Sequence, residues 1–317
     1  MIGSPWLIDD MLRVEELLLT SVGSSEHSIV NGAATHLIKA GGKRLRPALV
    51  LLSSHAGRWG TRETDLAAAA IELVHLATLY HDDVIDQTET RRGAPTVHSK
   101  WGTEVAILAG DYLFAHGCAL GAEAGGEVPL VLARAVADVC EGQITETTNI
   151  GDPSLDVERY LDTIRRKTAA LFRAACELGA ATSGVGPGHR AALMSYGENL
   201  GLAFQIVDDL LDLVGDPHTT GKALGTDLRE GVFTLPVLIG SRNDEGLRSA
   251  LDRGERDIES VLPALHATGA IEQALAEAKA HSDRAVEALA QIGPDAEWKE
   301  ALIDSATGVL AQVPSQT

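Results

Sequence analysis

The sequence predicts an all-α fold that covers residues 1–317 as a single domain. Apolar residues recur at intervals of three and four along most of the chain, which is the spacing of one helix face. Ala, Leu, Glu and Arg are abundant and favour helices, and alternating runs of β-branched residues are hard to find. No low-complexity linker or charge block interrupts this pattern, so one helical domain accounts for the whole chain.

Clusters of glycine and proline divide the chain into its predicted helices. They occur at residues 41–42, 93–95, 151–153, 184–188 and 215–217. Asp156 and Asp216 stand beside two of these breaks and are typical helix caps or turn residues. The predicted helices cover residues 8–22, 27–40, 45–57, 64–87, 96–100, 103–121, 128–150, 156–180, 188–214, 232–242, 245–252, 255–265, 267–291 and 297–312.

The composition excludes several classes of protein. The 45 acidic and 26 basic side chains give a formal net charge of −19, which argues against a nucleic-acid partner and against a basic membrane-docking patch. The longest apolar stretch, residues 66–80, is interrupted by Glu72 and His75, so no transmembrane segment is expected. The N-terminus lacks the pattern of a signal peptide. A reduced, cytoplasmic protein is therefore expected, with no disulfide or zinc role for Cys118, Cys140 and Cys176.

Two acidic motifs of the form DDxxD follow apolar helical residues. The first acidic motif comprises Asp82, Asp83 and Asp86, and the second comprises Asp208, Asp209 and Asp212. The first and last aspartates of each motif share a helix face about 5–6 Å apart, and this repulsion destabilises a bare helix. Carboxylates that leave room for water and phosphate suit Mg²⁺, which would offset the repulsion. The alternative is a solvated acidic face. Two copies favour two equivalent helices that face each other across a metal site.

Several cations accompany the acidic motifs. Lys43, Arg44 and Arg46 follow two glycines at a predicted helix start, where backbone N–H groups and cations suit a phosphate. The alternative for these three residues is an ordinary basic helix start. Arg91 and Arg92 follow the first acidic motif, and the alternative for them is ion pairing with its aspartates. Lys167, in a predicted helix, and Lys222, after the second motif, could each be an ordinary surface lysine. Together the pattern predicts a metal-bridged diphosphate and two anionic ligands.

The ordered set of motifs resembles the trans-isoprenyl diphosphate synthase (polyprenyl synthetase) family, and in particular its long-chain members. The matching segments are GGKRLRP at 41–47, ELVHLATLYHDDVIDQTETRRGAPTVH at 72–98, AGDYLFA at 109–115, KTAALF at 167–172, FQIVDDLLD at 204–212 and GKALGTDLREG at 221–231. The resemblance implies a helical bundle around a deep central cavity, of the isoprenoid synthase type, assembled as a homodimer. It also implies a prenyltransferase that condenses isopentenyl diphosphate onto an allylic diphosphate.

The resemblance assigns substrate contacts residue by residue. Isopentenyl diphosphate is expected on Lys43, Arg46, His75 and Arg92. The allylic diphosphate is expected on Arg91, Lys167 and Lys222, with Thr168 and Gln205 lining the reaction centre. Taken alone, His75 on an apolar face would be a core histidine. Many family members carry a lysine where this chain has Val232, so one contact to the allylic diphosphate is not expected here.

The resemblance also assigns the metal site and the reaction. About three Mg²⁺ ions are expected with the allylic diphosphate. Their expected ligands are Asp82, Asp86, Asp208 and Asp212, and the expected supporting residues are Asp83 and Asp209, with Asp212 contributing to both sets. The expected catalytic residues are Asp82, Asp86, Lys167 and Asp208. The allylic carbon–oxygen bond would ionise, and the double bond of isopentenyl diphosphate would attack the resulting cation, without a protein nucleophile.

Residues before the first acidic motif predict the product length. Ala77 and Thr78 lie one helical turn before Asp82, and Val74 lies a turn deeper, so all three are expected to line the product pocket. In the family, bulky aromatics at the first two positions stop chain growth. Small residues here predict a product of about C30–C50, suited to a quinone side chain. The alternatives are a short-chain farnesyl or geranylgeranyl diphosphate synthase, a class I terpene cyclase, and a non-catalytic subunit of a heteromeric synthase.

Overall fold

The computed structural model describes residues 5–23, 25–216, 223–293 and 296–314, and the all-α prediction is confirmed. Within these residues the strands form one small antiparallel hairpin, β1 (Thr90–Arg91) with β2 (Ala94–Pro95). In chain order the helices are α1 (Pro5–Val22), α2 (Ser28–Ala34), α3 (His36–Lys39), α4 (Leu45–Ser54), α5 (Arg62–Ile85), α6 (Val97–Trp101), α7 (Thr103–Ala124), α8 (Val128–Thr148), α9 (Val157–Ile164), α10 (Ala170–Ser183), α11 (Pro187–Val214), α12 (Thr226–Glu230), α13 (Leu235–Asn243), α14 (Glu245–Asp252), α15 (Ile258–Ala267), α16 (Ala270–Leu289) and α17 (Glu297–Leu310). A π-helical turn, Arg165–Ala169, joins α9 to α10.

Several predicted helices differ in their bounds from the structure, and three of the differences have an evident cause. The segment predicted at 27–40 is two helices, α2 and α3, separated at Thr35. The segment predicted at 156–180 contains the π turn, which apolar periodicity does not reveal. The segment predicted at 232–242 begins at Leu235, because Thr234 is extended and Pro236 suits a first helical turn. The sequence analysis also missed α12, whose two ends are set by Gly225 and Gly231 in left-handed conformations.

The chain forms two compact units. The first unit comprises Met1–Val136, Ala174–Met194 and Asp295–Lys299. The second unit comprises Ala137–Arg173, Ser195–Pro294 and Glu300–Thr317. The single-domain assignment and the deep central cavity stay predictions.

The core of the first unit is built on α5. Every residue from 64 to 74 is buried, and α5 packs against α1, α4 and α7. The buried Tyr80 points towards α2 and α3, where its hydroxyl donates to the Ala33 carbonyl oxygen at 2.7 Å. This places the first acidic motif at the end of a helix that is fixed along its length by apolar packing.

Helix α7 is apolar enough, by length and composition, to cross a membrane. Its 18-residue window has a mean hydropathy of 1.4, and 39% of that window is buried. Residues 66–80 were predicted to be the longest apolar stretch of the chain. That prediction is corrected here, because the long apolar helix is α7. Because α7 packs along α5, the same composition suits a core helix, and it does not by itself establish a membrane span.

Buried polar contacts join the helices of the second unit. On α11, the Tyr196 hydroxyl donates to the Leu302 carbonyl oxygen of α17 at 2.7 Å. The Ser282 hydroxyl of α16 donates to the Ala306 carbonyl oxygen at 2.8 Å. These bonds satisfy polar groups that would otherwise be costly to bury, so they fix how α16 and α17 pack.

We expect His281 of α16 to make the protein less stable in acid. The ring is 6% exposed, and burial, assisted by Arg284 and opposed by Glu277, lowers the His281 pKa to about 4. Between pH 6.5 and 4 the unfolded chain binds a proton that the folded chain does not, so stability falls as the pH falls through this window. His281→Gln should remove at most about 2 kcal/mol of the stability lost between pH 7.5 and 5, measured by urea unfolding. Equal losses in the variant and the wild type would contradict this.

Candidate active site

The first acidic motif occupies the C-terminal end of α5. Asp82 is half-buried, Asp86 is exposed and caps the helix, and Asp83 is only 1% exposed. The Arg91 guanidinium donates through Nε to Asp83 Oδ1 at 2.6 Å. Burial raises the pKa of Asp83, and Arg91 opposes that rise. The motif therefore holds its middle carboxylate inside the unit and leaves its last one exposed, with the first one half-buried.

This geometry settles part of the interpretation of Arg91. The sequence left two alternatives for Arg91, an ion pair with the aspartates or a contact with the allylic diphosphate. The structure contains the ion pair, which Arg91 forms with Asp83. A guanidinium carries five N–H donors, so this ion pair does not by itself prevent a phosphate contact. Contact of Arg91 with the allylic diphosphate stays a prediction.

The glycine-rich loop before α4 takes an unusual backbone path. Gly41 and Gly42 have φ values of 83° and 148°, and Arg44 stands in the left-handed region at φ 46°. Arg44 is buried and pairs with Glu15 of α1 at 2.5 Å and with Glu72 of α5 at 3.0 Å. The sequence analysis assigned no partner to Glu72, although an acidic residue inside an apolar helix indicates a buried cation. Arg44 therefore holds the loop, while Lys43 beside it is exposed.

The first unit brings the predicted isopentenyl diphosphate residues Arg46, His75 and Arg92 together. Burial lowers the pKa of His75 well below its ordinary value, and the charges of Arg46 and Arg92 lower it further. Burial also lowers the pKa of Arg46 to about 10, which leaves the guanidinium charged at neutral pH. Arg92 donates to the Gly41 carbonyl oxygen of the loop. The cluster combines two cations with a neutral imidazole, a set that suits a diphosphate.

The second acidic motif, like the first, buries its middle aspartate. Asp208 is exposed, Asp212 is half-buried and Asp209 is 3% exposed. Asp209 accepts hydrogen bonds from the Tyr160 hydroxyl and from Gln205 Nε2, the latter at 2.8 Å. Burial raises the pKa of Asp209 to about 7. As in the first motif, the middle carboxylate is held inside its unit, and here the first aspartate, Asp208, is exposed.

Asp212 also stabilises the helix that the sequence analysis missed. Its Oδ1 accepts the backbone N–H of Thr226 at 3.1 Å, and its Oδ2 accepts that of Asp227 at 3.2 Å. A carboxylate can accept further bonds on each oxygen, so these contacts are compatible with metal ligation. Nearby, Val232 is half-buried, and its backbone N–H donates to the Asp227 carbonyl oxygen at 2.8 Å. Lys222, predicted to contact the allylic diphosphate, lies outside the described residues.

The π turn positions Lys167 and Thr168. The Thr168 hydroxyl donates to Gln205 Oε1 at 2.7 Å, so the structure brings these two predicted residues into contact. The Lys167 ammonium donates to Glu146 of α8, a partner that sequence reasoning missed. A π turn carries one extra residue in its hydrogen-bonded ring and is frequent at functional sites. Here it directs Lys167 towards α8 and Thr168 towards α11.

Two glycines let neighbouring helices approach the π turn closely. A Cβ placed at Gly142 of α8 would lie 2.4 Å from the Lys167 backbone nitrogen. A Cβ placed at Gly201 of α11 would lie 2.6 Å from the Ala169 Cα. Both distances are shorter than van der Waals contact, so any larger residue must displace the backbone of the turn.

We expect Gly142→Ala to destabilise the protein by about 1–3 kcal/mol, because the added methyl group overlaps the Lys167 backbone. The free energy of urea unfolding measures this loss. The matched control is Gly188→Ala in α11, where an added Cβ has no neighbour within 4 Å. The control should be neutral or slightly stabilising, since alanine favours helix. Equal stability of the two variants would show that the close approach is unimportant.

The residues predicted to set product length lie on α5 before the first acidic motif. Ala77 is 2% exposed and Thr78 is half-buried, with its hydroxyl donating to the His75 carbonyl oxygen at 2.7 Å. Val74 is fully buried and contacts α7, since its Cγ2 lies 3.1 Å from the position of a Cβ at Gly117. Their role in product length stays a prediction.

The donor chemistry of both acidic motifs fits a magnesium ion. Among the residues that the structure describes, no three His, Cys, Asp or Glu side chains form a cluster that could hold a metal. Mg²⁺ commonly binds one or two protein carboxylates and fills its remaining positions with water and substrate phosphate. Each motif supplies such donors within its own unit, Asp82 and Asp86 in the first and Asp208 in the second, so the donor chemistry of each motif fits Mg²⁺ that also binds a diphosphate.

Comparison with known proteins agrees with the fold and the motifs. The family described as polyprenyl synthetase matches residues 27–268. Heptaprenyl diphosphate synthase component 2 of Geobacillus stearothermophilus is 39% identical over 290 residues, or 90% of each chain. The crystal structure of a decaprenyl diphosphate synthase from Rhodobacter capsulatus matches with a TM-score of 0.92 and 37% identity, covering 98% of both chains. A polyprenyl synthase from Caulobacter crescentus CB15, complexed with calcium and isoprenyl diphosphate, matches with a TM-score of 0.90 and 37% identity, covering 98% of this chain and 96% of that chain.

The all-α fold and the two acidic motifs define an isoprenoid synthase. The chain belongs to the polyprenyl synthetase family, and it is a prenyltransferase. The resemblance inferred from the sequence motifs is therefore confirmed, as is the enzyme class.

Proposed function

We propose that this protein is a trans-polyprenyl diphosphate synthase that condenses isopentenyl diphosphate onto an allylic diphosphate in a magnesium-dependent reaction. The observation that carries the proposal is the repeated design of the acidic motifs. In each motif the first aspartate is at least partly exposed, while the middle one is held inside its unit by Arg91 or by Tyr160. A protein that had lost catalysis would not need two such motifs.

Each group of residues has a proposed part in the reaction. Bound Mg²⁺ would neutralise charge on the departing diphosphate. Asp82, Asp86 and Asp208 supply oxygens for it, with Asp212 as a further ligand. Lys167, Arg91 and Lys222 bind the allylic diphosphate, and Thr168 with Gln205 lines the reaction centre. The allylic carbon–oxygen bond ionises, the double bond of isopentenyl diphosphate forms the new carbon–carbon bond with the resulting cation, and the proton lost from the new chain passes to the released diphosphate, as the family resemblance implies.

Isopentenyl diphosphate is proposed to bind the cluster of the first unit. Lys43, Arg46 and Arg92 neutralise its two phosphates. His75 contributes a hydrogen bond as a neutral imidazole, because burial and the neighbouring guanidinium groups keep its pKa well below neutral pH. Fixing this substrate in one orientation places its double bond for attack and lowers the entropic part of the barrier.

The product is proposed to be long, about C30–C50, and to serve as a quinone side chain. The small side chains of Ala77 and Thr78 support this length, since neither is a bulky aromatic of the kind that stops chain growth in the family. Two of the similar proteins are named heptaprenyl and decaprenyl diphosphate synthases. A short-chain farnesyl or geranylgeranyl diphosphate synthase is the alternative within the same chemistry.

The protein is proposed to be cytoplasmic and to form a homodimer. On the first unit, Ile107 and Leu108 of α7 are 42% and 65% exposed, and Leu130 of α8 is 50% exposed. An exposed apolar face of this kind is typical of a protein–protein interface. A second candidate assembly is a heteromeric synthase, because one relative is named component 2 of its enzyme.

Product analysis by mass spectrometry tests the proposed function. The purified protein is incubated with farnesyl diphosphate, excess isopentenyl diphosphate and Mg²⁺, with a chelator-treated sample as control. A ladder ending between about C30 and C50 that disappears without Mg²⁺ supports the whole proposal. A ladder that stops at about C20 supports the assignment as a synthase and contradicts the proposed long product. No elongation from any allylic primer favours the non-catalytic subunit, and Val232 becomes the first position to restore to lysine.

A further inference from the structure

Asp209 has two hydrogen-bond donors that come from different parts of the second unit. The Tyr160 hydroxyl of α9 donates to Oδ2, and Gln205 Nε2 of α11 donates to Oδ1. The tyrosine is 5% exposed and the aspartate is 3% exposed, so water does not readily replace the tyrosine hydroxyl, whereas Gln205 is half-buried. The Tyr160 hydroxyl is therefore the more buried of the two donors that orient the carboxylate.

The same hydrogen bonds extend to the π turn. The Thr168 hydroxyl donates to Gln205 Oε1, so both ends of the Gln205 amide are occupied. The chain of contacts runs from Tyr160 through Asp209 and Gln205 to Thr168. It ties α9, the π turn and α11 together at the middle residue of the second acidic motif.

We propose that Tyr160 is a positioning residue for the second acidic motif, holding Asp209 inward so that Asp208 and Asp212 keep the orientation that binds the metal–diphosphate complex. This inference rests on the proposed function. Tyr160 lies 49 residues before Asp209 and outside both acidic motifs.

The chemistry of the donor explains why a tyrosine suits this position. In the first acidic motif the middle aspartate is held by a charged guanidinium, that of Arg91. At Asp209 both donors are neutral, so they orient the carboxylate without adding positive charge beside the metal ligands. Without the hydroxyl, Asp209 retains one of its two donors and can turn towards Asp208, where a third carboxylate would disturb the ligand geometry.

The test is Tyr160→Phe, which removes the hydroxyl and keeps the ring. The Mg²⁺ concentration that gives half of the thermal stabilisation by a non-hydrolysable allylic diphosphate analogue should rise about 10-fold, and so should the KM for the allylic diphosphate, because supporting groups of metal ligands typically contribute that much. The KM for isopentenyl diphosphate should stay unchanged, since its proposed ligands belong to the first unit. A purely structural role would not separate the two substrates in this way.

Tyr196→Phe is the matched control. It also removes one buried hydroxyl from the second unit, in a bond to the Leu302 carbonyl oxygen, and Tyr196 lies on the same helix as Asp209. It should leave the Mg²⁺ dependence and both KM values unchanged. If Tyr160→Phe gives the same Mg²⁺ dependence and KM values as Tyr196→Phe, Tyr160 has no positioning role.

A double-mutant cycle keeps the test decisive if Tyr160→Phe loses stability. Tyr160→Phe is combined with Asp209→Ala, and the change in Mg²⁺ dependence is compared with that of Asp209→Ala alone. If the double variant has the same Mg²⁺ dependence as Asp209→Ala, Tyr160 acts through Asp209. If the two changes in Mg²⁺ dependence add, the positioning role of Tyr160 is contradicted. If the wild-type protein elongates no allylic primer, the proposed function itself is refuted. This outcome differs from a failure of the positioning role, in which the wild type is active and Tyr160→Phe behaves like Tyr196→Phe.

Discussion

Asp82→Ala and Asp208→Ala are each expected to lower the kcat for prenyl transfer by about 10²–10³-fold while the fold persists. Each change removes a carboxylate that we assign to Mg²⁺. Both variants should stay folded, since the change also relieves repulsion from the aspartate one turn later in the same motif. Steady-state kinetics with isopentenyl diphosphate in excess measure kcat, and thermal unfolding measures the fold.

Asp252→Ala is the control for these two variants. Asp252 is an exposed aspartate at the end of α14 and belongs to neither acidic motif. It should keep the wild-type kcat, which separates the loss of a metal ligand from a general loss of negative charge. Near wild-type turnover in Asp82→Ala or Asp208→Ala would refute the metal assignment.

Ala77→Phe is expected to shorten the product from about C30–C50 to about C20, because an aromatic ring one turn before Asp82 fills the space that the growing chain needs. The site is 2% exposed, so the larger side chain should also cost about 1–3 kcal/mol of stability. Mass spectrometry of the product ladder gives the length, and urea unfolding gives the cost.

Thr78→Val separates size from chemistry at the neighbouring position. Valine has nearly the same volume as threonine and removes only a hydroxyl that bonds within α5 to the His75 carbonyl oxygen. The product length should therefore stay as in the wild type. A wild-type ladder from Ala77→Phe, in a variant shown to be folded, would mean that Ala77 does not bound the product pocket.

Much of the fold was predictable because helix signals are local. The apolar period of 3.6 residues and the glycine and proline breaks gave the main helices, and α14 was predicted at its observed bounds of 245–252. The two acidic motifs and the cations were visible as spacings of a few residues. The π turn escaped prediction because a single extra residue in a helix leaves no mark in apolar periodicity.

The candidate site was predictable in its residues but not in its contacts. Asp83 was expected to support the metal ligands, and the structure adds that Arg91 holds it inside the unit. Glu72 is visible in the sequence as a charge within an apolar helix, yet only the fold identifies Arg44 as its partner. Such partners depend on which helices pack together, and nothing in the spacing of the motifs fixes that packing.

By itself, the sequence determined the helical class, the two acidic motifs and the family, because these depend on residue type and on spacing over a few helical turns. The tertiary structure alone decided which aspartate of each motif faces inward. It also brought Tyr160 to Asp209 and let α8 meet the π turn at Gly142. The physical reason is that burial and hydrogen bonding act between groups that are close in space, and here those groups lie tens of residues apart along the chain.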